Sequence, residues 1–459
     1  MYDTIIIGGG PAGYLAAERL GQAKKKVLLI EEQHLGGTCL NLGCVPTKTL
    51  LNSAKQYVHA KEAEKFGVKV ENISFDWQAI QNRKTEVIHR LRSGIESKMK
   101  RYNVEVINGK GVILTPASGE KPAKVCSVSA NGKKTEYETK TILICTGSVP
   151  VLPPIPGANG NPFVVDSTGL LAEKAVPKRL AVIGGGVIGV EFAGLFSALG
   201  SEVTVIEMMD EIVPFMDREQ APILRSAMNG IQFKLGCKVE KIDNTIVNYT
   251  AKNGNAEQTD ADLILIAVGR KPVVDGWGAQ EMCLDKSPKG IIVDERMRTN
   301  IPGIWAAGDV TGKSLLAHSA YRMAEVAVAD ILGKPSTMRY NAVPWAVYGI
   351  TEAAGVGITE QEAEAKGIAI LKASLPMQFS GRYIAENAFN GLGAVKVIAD
   401  ASDRRILGVH AVGPYSPEFI WGGAALIEQE FRIDEVKELI FPHPTVSELI
   451  RDVVWAIQE

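Results

Sequence analysis

The chain has 459 residues, and its 50 lysines and arginines against 52 aspartates and glutamates give a formal net charge of −2. That length suggests about three domains at roughly 150 residues each, and the near-neutral charge argues against a general nucleic-acid binder, which needs a basic surplus. No apolar run approaches the ~20 residues of a membrane span, no basic segment leads a long apolar one at the N-terminus, and six cysteines are too sparse for a secreted disulfide scaffold, so a cytoplasmic protein is expected.

In chain order, Ile5, Ile6 and Ile7 read as a strand. Gly8, Gly10 and Gly13 come next in GxGxxG spacing and open a helical pattern, and Glu31 ends the next apolar run, VLLIE. The same series recurs 176 residues later as Gly184, Gly186, Gly189 and Glu207, the last ending VTVIE. A lone GxGxxG is weak evidence. Two copies, each between strand and helix and each with an acid about 20 residues on, form a dinucleotide-binding fingerprint. The first glycine makes the turn, the second admits the pyrophosphate, and the third lets helix pack on strand. The helix N-terminus offers amide donors to phosphate, and the acid accepts from ribose hydroxyls. Glu207 is followed by Met208 and Met209, with no basic residue for a 2′-phosphate. The second copy therefore reads as an NAD site rather than an NADP site. Leu15 of the first copy corresponds to Glu191 in the second. Spacing allows Glu191 either a dipole-stabilising role or a place at the reaction centre.

Directly after Glu31, GGTCLNLGCVPTK (36–48) carries Cys39 and Cys44. Two unrelated thiols, a metal site with His34, or a redox-active disulfide are the readings. A metal site would need about four suitably spaced ligands. For a disulfide, geometry demands a break. Residues five apart on a regular helix have Cα atoms about 8.7 Å apart, whereas a disulfide needs less than ~7 Å. Gly43 permits the distortion, and Pro46 lacks the N–H that would bond back to Leu42. Lys48 reads either as a surface lysine or as a cation beside a cofactor.

TILICTGSVP (141–150) and LILIAVGRKP (263–272) each end a strand on a glycine turn before proline, as if the chain crossed between domains. GIWAAGDV (303–310) is a third such strand, ending at Gly308 and Asp309. From about 341 alternating strands and then helices suggest a separate α+β domain. FPHPTVSE (441–448) sets His443 between two prolines, with Glu448 five residues on. A carboxylate within reach would orient the imidazole as a base for deprotonating a thiol.

Together GGTCLNLGCVPTK, the two GxGxxG units, AAGDV and HPTVSE resemble the class I pyridine nucleotide–disulfide oxidoreductases over essentially the whole chain. ILGVHAVGP and LNLGCVPTK favour the members that oxidise dihydrolipoamide. The resemblance implies an α/β fold with two Rossmann-like dinucleotide-binding domains, for FAD and NAD, and a C-terminal α+β dimerisation domain. The expected divisions are an FAD-binding domain at 1–148, an NAD-binding domain at 149–270, a second part of the FAD-binding or central domain at 271–340, and an interface domain at 341–459. FAD would be lined by Gly8, Gly10, Gly13, Glu31, Lys48, Gly111, Thr146, Gly147, Ser148, Asp309 and Ala317. NAD would be held by Gly184, Gly186, Gly189, Glu207, Val239 and Gly269. Cys39 and Cys44 would be the redox pair, and Glu191 would pair with Lys48 beside the isoalloxazine. His443, held by Glu448, would act across a homodimer on the partner's disulfide. No metal is expected.

Two segments depart from the family: LAHSA (316–320) where LAHKA is usual, and YGITE (348–352) without the proline of YTxPE. Sister reductases fit less well. VVWAIQE lacks a C-terminal cysteine pair, and no basic residue flanks Glu207. A flavin-binding subunit without catalysis would need none of Cys39, Cys44, His443 and Glu448. The first strand begins within five residues of Met1, so the lipoyl group is expected on another protein, in a multienzyme complex that the sequence does not name.

Overall fold

The computed structural model describes residues 1–387 and 391–458. They form two compact units. The first contains Met1–Thr49, Gln81–Val151 and Arg270–Arg339; the second contains Leu50–Ile80, Leu152–Gly269 and the chain from Tyr340 onward.

In the first unit Tyr2–Ile7 lies between Val27–Glu31 and the end of Lys134–Ile144, all parallel, with Ile5 opposite Leu28 on one side and Ile142 on the other. Glu105–Asn108 and Ile304–Ala306 extend the parallel set. Ile5, Ile6, Leu28, Leu29, Ile142 and Leu143 are all 0% exposed. A parallel sheet covered on both faces reads as unbroken apolar runs, which is what these strands show. The front of Lys134–Ile144 instead alternates in burial and pairs antiparallel with Ala123–Val128. Helices Pro11–Gln22 and Ala317–Ile331 pack together, and both bury small residues, among them Ala16, Ala17, Ala320 and Ala324. The two expected crossing segments meet as a two-stranded sheet, Ser148–Pro150 against Arg270–Pro272.

The second unit repeats the parallel theme. Its sheet runs Ile231–Leu235, Glu202–Glu207, Arg179–Ile183, Leu263–Ile266, Val164–Val165. Helix Val187–Ala198 comes after Arg179–Ile183 as Pro11–Gln22 comes after Tyr2–Ile7, again 176 residues on. From Trp345 an antiparallel five-stranded sheet forms in the order 345–347, 353–357, 406–412, 394–400, 370–376. Helix Ser416–Glu428 packs against strands 353–357 and 406–412, and helix Glu448–Ala456 against strands 370–376 and 394–400. The latter helix buries Leu449, Ile450, Val453 and Val454. That i, i+1, i+4, i+5 stripe stabilises the domain by about 1.5–3 kcal/mol per side chain.

Strand Ala394–Asp400 also carries a buried cation. Lys396 Nζ donates to Asp217 Oδ1 at 3.0 Å, Glu219 Oε2 at 2.8 Å and Glu360 Oε2 at 2.6 Å. Lys396 and Asp217 are both 0% exposed. Burial works against the Asp217 carboxylate, but the Glu360 amide and Lys396 outweigh it and hold the group below the usual range. Glu219 is held low by Lys396. Glu360 is also lowered, with burial opposed by Lys372, Lys396 and Arg218. The three carboxylates have a spacing that could hold a metal ion, but the lysine ammonium already takes their bonds.

Candidate functional site

The first glycine turn is required by the backbone. Gly8 has φ +99°, and a Cβ there would stand 2.2 Å from the Cys145 carbonyl oxygen. A Cβ on Gly13 would stand 1.8 Å from the Gly8 oxygen. At Gly10 the only close group would be Gly37 Cα, at 3.8 Å. Hence the first and third glycines are demanded by the chain itself, and the middle one is not. The second turn behaves alike. Gly184 has φ +105° and would meet Ala267 O at 2.6 Å; Gly189 would meet Gly184 O at 2.0 Å; Gly186 would meet nothing within 4 Å. A middle glycine with space in front of it fits a pyrophosphate approaching the backbone.

Both acids tie the turn to the end of the second strand. Glu31 accepts from the Gly9 amide at 2.6 Å and the Gln33 amide at 2.7 Å. Glu207 accepts from Gly185 at 2.5 Å and Met209 at 2.7 Å. A carboxylate has about four acceptor positions, so each retains capacity for ribose hydroxyls.

The cysteines flank a helix break. Gly37–Leu42 is one short helix, Gly43 takes φ −149° and ψ −106°, and Cys44–Glu62 starts anew. Cys39 is half-buried and Cys44 exposed. The hydrogen bond to Cys44, with burial behind it, pushes the Cys39 thiol up, while Lys48 pulls it down. Gly37, at φ +56°, packs so closely that a Cβ would lie 2.6 Å from Gly10 Cα. The cysteine segment therefore begins against the dinucleotide turn.

Around the same turn, Ser148 Oγ donates to Asp309 Oδ2 at 2.5 Å. Burial pushes the Asp309 carboxyl up, against the pull of Ser148 and Arg270. Arg270 donates to Ser148 Oγ at 2.9 Å and Ser148 O at 2.7 Å. Thr146 Oγ1 donates to Val273 O at 2.8 Å, and Gly147 has φ +71° with open space before it. Gly111 is explained by packing, since a Cβ would lie 2.9 Å from Ile7 Cγ2. Ala317 opens helix Ala317–Ile331.

In the second unit Glu191 is buried at 4% exposure, and its Oε1 accepts from the Tyr348 amide at 3.0 Å. It is an inward group and not a solvent-facing partner of the helix dipole. Val239 is half-buried on strand Lys238–Asp243, and Gly269 has φ +121° with open space at its Cβ position. His443 is exposed, with Nδ1 2.9 Å from Glu448 Oε1. The His443–Pro444 peptide bond is cis. Glu448 also accepts from the Thr445 amide at 2.7 Å. Burial opposes its charge, but Thr445 and His443 outweigh burial and hold the carboxyl low.

Sequence reasoning did not pick out Asn41, Arg92 or Arg270, all tied to the cysteine segment or to Ser148. Nor did it pick out Tyr14 and Tyr321, whose hydroxyls meet at 2.5 Å. The one readable signal was Asn41, a polar residue between two leucines inside the cysteine spacing.

Residues 2–324 match the family model for pyridine nucleotide-disulphide oxidoreductase, and residues 343–454 match its dimerisation domain. The chain is 35% identical to dihydrolipoyl dehydrogenase of Bacillus subtilis, over 98% of this chain and 97% of that protein. It is 37% identical to dihydrolipoyl dehydrogenase 3 of Pseudomonas putida, over 99% and 98%. Among solved structures it resembles LpdA of Mycobacterium tuberculosis, with a TM-score of 0.90, 25% identity and 99% coverage of both chains. It also resembles the HOCl-induced flavoprotein disulfide reductase RclA of Escherichia coli, with a TM-score of 0.86, 30% identity and full coverage of both.

Proposed function

The chain belongs to the pyridine nucleotide–disulphide oxidoreductase family, and from that premise we infer that it oxidises dihydrolipoyl groups to lipoyl groups with reduction of NAD. The observation that carries the reading is the Cys39–Cys44 pair, in hydrogen-bond reach across the break at Gly43 and set against the first glycine turn. Full-length relatives named dihydrolipoyl dehydrogenase support the substrate.

The first copy holds FAD through Gly8, Gly10, Gly13 and Glu31, with Lys48, Gly111, Thr146, Gly147, Ser148, Asp309 and Ala317 around it. The second holds NAD through Gly184, Gly186, Gly189, Glu207, Val239 and Gly269. FAD, when bound, accepts the two electrons of the cysteine dithiol, and NAD is the final hydride acceptor. The FAD-binding part is divided between 1–148 and 271–340, with NAD bound by 149–270.

His443, oriented by Glu448, takes a proton from one substrate thiol. The thiolate attacks Cys39 Sγ, breaks the Cys39–Cys44 bond and releases Cys44 as thiolate. The second substrate thiol passes its proton to the Cys44 thiolate, attacks the substrate sulfur of the mixed disulfide, closes the lipoyl ring and releases Cys39, which takes the proton held on His443. The dimerisation domain makes the assembly a homodimer, and His443 serves the partner's cysteines. The bond to Cys44 and burial disfavour a Cys39 thiolate, which suits its release with a proton from His443. Exposure alone would select Cys44 as the attacked sulfur; the family resemblance assigns Cys39. Mass spectrometry of Cys44→Ser enzyme incubated with lipoamide decides, by the presence of an adduct on Cys39. The physiological donor is a lipoylated domain of a multienzyme complex, and a cytoplasmic setting fits the sparse cysteines.

The test is an anaerobic titration of the FAD-loaded protein with dihydrolipoamide, then NAD. One NADH per dihydrolipoamide is expected. If NADH reduces the protein but dihydrolipoamide does nothing, the substrate assignment fails, and other disulfides, as for a reductase like RclA, take its place.

A further inference from the structure

We infer that the hydroxyl pair of Tyr14 and Tyr321 is a substrate-positioning site, which donates a hydrogen bond to the amide carbonyl of the dihydrolipoyl group whose thiols meet Cys39. The inference deepens the proposed function and rests on it.

Tyr14 is the fourth residue of helix Pro11–Gln22, and Tyr321 the fifth of helix Ala317–Ile331. The starts of these helices come close at Gly308, where a Cβ would stand 3.3 Å from Ala12 Cβ and 3.5 Å from Ala320 Cβ. That approach brings the two rings edge to face, with centroids 6.0 Å apart and planes at 66°. The hydroxyls are 2.5 Å apart. Each phenol has one proton to donate, and the bond between them uses one. The pair therefore keeps one O–H for a further acceptor. Among the described residues neither hydroxyl makes a second bond. Both side chains are half-buried, so the pair is held by packing and can still be reached. Packing alone would be served by phenylalanine, without taking two polar oxygens out of water.

The pair stands beside the reactive sulfurs. Burial pushes the Tyr14 hydroxyl up, with its bond to Tyr321 and the charge of Cys39 acting the same way. Burial also pushes Tyr321 up against the pull of Tyr14, and Cys39 and Cys44 both add to the rise. Phenols raised in this way stay protonated at neutral pH, so the pair donates and does not take protons. Base duty stays with His443. Neither tyrosine hydrogen-bonds to a cysteine among the described residues. The sulfurs are felt across a gap, and a gap beside Cys39 suits the chain of its substrate. Dihydrolipoamide carries one strong acceptor away from its sulfurs, the amide carbonyl, set off by four methylene groups from the nearer thiol-bearing carbon. A neutral donor beside Cys39, but not on it, matches that acceptor. The bond orients the chain, and no proton or electron passes through the tyrosines.

The experiment compares two dithiols in the full-length FAD-loaded protein. One is dihydrolipoamide; the other is propane-1,3-dithiol, which also closes to a cyclic disulfide but has no carbonyl. The readout is the ratio of their kcat/KM values, dihydrolipoamide over propanedithiol, in the NADH assay. Tyr321→Phe keeps the ring and removes the hydroxyl. It should lower the ratio about tenfold, the worth of one hydrogen bond, through a higher KM for dihydrolipoamide. Tyr14→Phe leaves the other hydroxyl without its partner and should lower the ratio about threefold. A purely structural role would lower both kcat/KM values together and leave the ratio alone. If both variants keep the ratio within about twofold of wild type, the site is overturned; if one does not fold, the other decides. If wild type oxidises neither dithiol, it is the redox reading that fails, and this inference fails with it.

Discussion

In the first glycine turn a Cβ on Gly13 would stand 1.8 Å from Gly8 O; in the second, a Cβ on Gly189 would stand 2.0 Å from Gly184 O. In both, an acid at the end of the next strand binds the amide just after the first glycine, Gly9 for Glu31 and Gly185 for Glu207. The turns share this backbone arrangement and differ in the segment beyond the acid. After Glu31 the chain forms a short helix, a break at Gly43 and a second helix, with a thiol on each side. After Glu207 it passes two exposed methionines, Met208 and Met209. The helix after the first turn presents half-buried Leu15 where the second presents buried Glu191. Cradling a dinucleotide is thus a property of the repeated unit, and the chemistry comes from residues added beside it.

The added residues are where the largest losses are expected. Cys39→Ser and Cys44→Ser should each abolish dihydrolipoamide oxidation in a steady-state NADH assay, while NAD binding by the second turn, read by calorimetry, persists. If either variant turns over at the wild-type rate, the cysteine segment is not the reactive part of the first copy. Next, His443→Gln should lower kcat by about 10²–10⁴, the usual worth of a general base, with little change in melting temperature because His443 is exposed.

A different kind of loss separates scaffold from chemistry. Lys396→Met would leave buried Asp217 without its cation, costing about 3–5 kcal/mol of stability at neutral pH. The lowered carboxyls give the sign with pH. Asp217, Glu219 and Glu360 contribute stability above their unfolded values near pH 4, and that contribution is lost as pH falls through the lower folded values. The melting-temperature gap between wild type and Lys396→Met should therefore narrow as pH falls below about 4. A gap that widened would mean the lysine is not what holds those carboxylates charged.

The smallest effects distinguish glycines within one turn. Gly189→Ala should destabilise the fold by about 1–3 kcal/mol through overpacking. Gly186→Ala should leave thermal stability unchanged and raise the KM for NAD, since only open space faces it. Equal stability losses for the two would show that the middle glycine is also required by the chain.

Much of this was legible before any coordinates. The runs III, VLLI and ILI announce buried parallel strands because both faces are covered. The interval of 176 residues survives in structure because helices Pro11–Gln22 and Val187–Ala198 start and stop at the same offset. The break at Gly43 came from arithmetic on helix geometry. Other features were illegible for a physical reason. Arg92 and Asn41 are 51 residues apart, Ser148 and Asp309 are 161 apart, and Lys396 and Asp217 are 179 apart. None of these pairs leaves a periodicity or spacing in the chain.

By itself the sequence determined the two dinucleotide turns, their acids, the cysteine spacing and the residues of the His443–Glu448 pair, because each depends on neighbours within about thirty residues and on the backbone freedom of glycine. Only the tertiary structure decided which amide Glu191 meets, which carboxylates surround Lys396 and which arginine meets Asn41. Those are meetings of polar groups brought together by the packing of apolar elements, and hydrophobic burial, being non-directional, does not encode them locally.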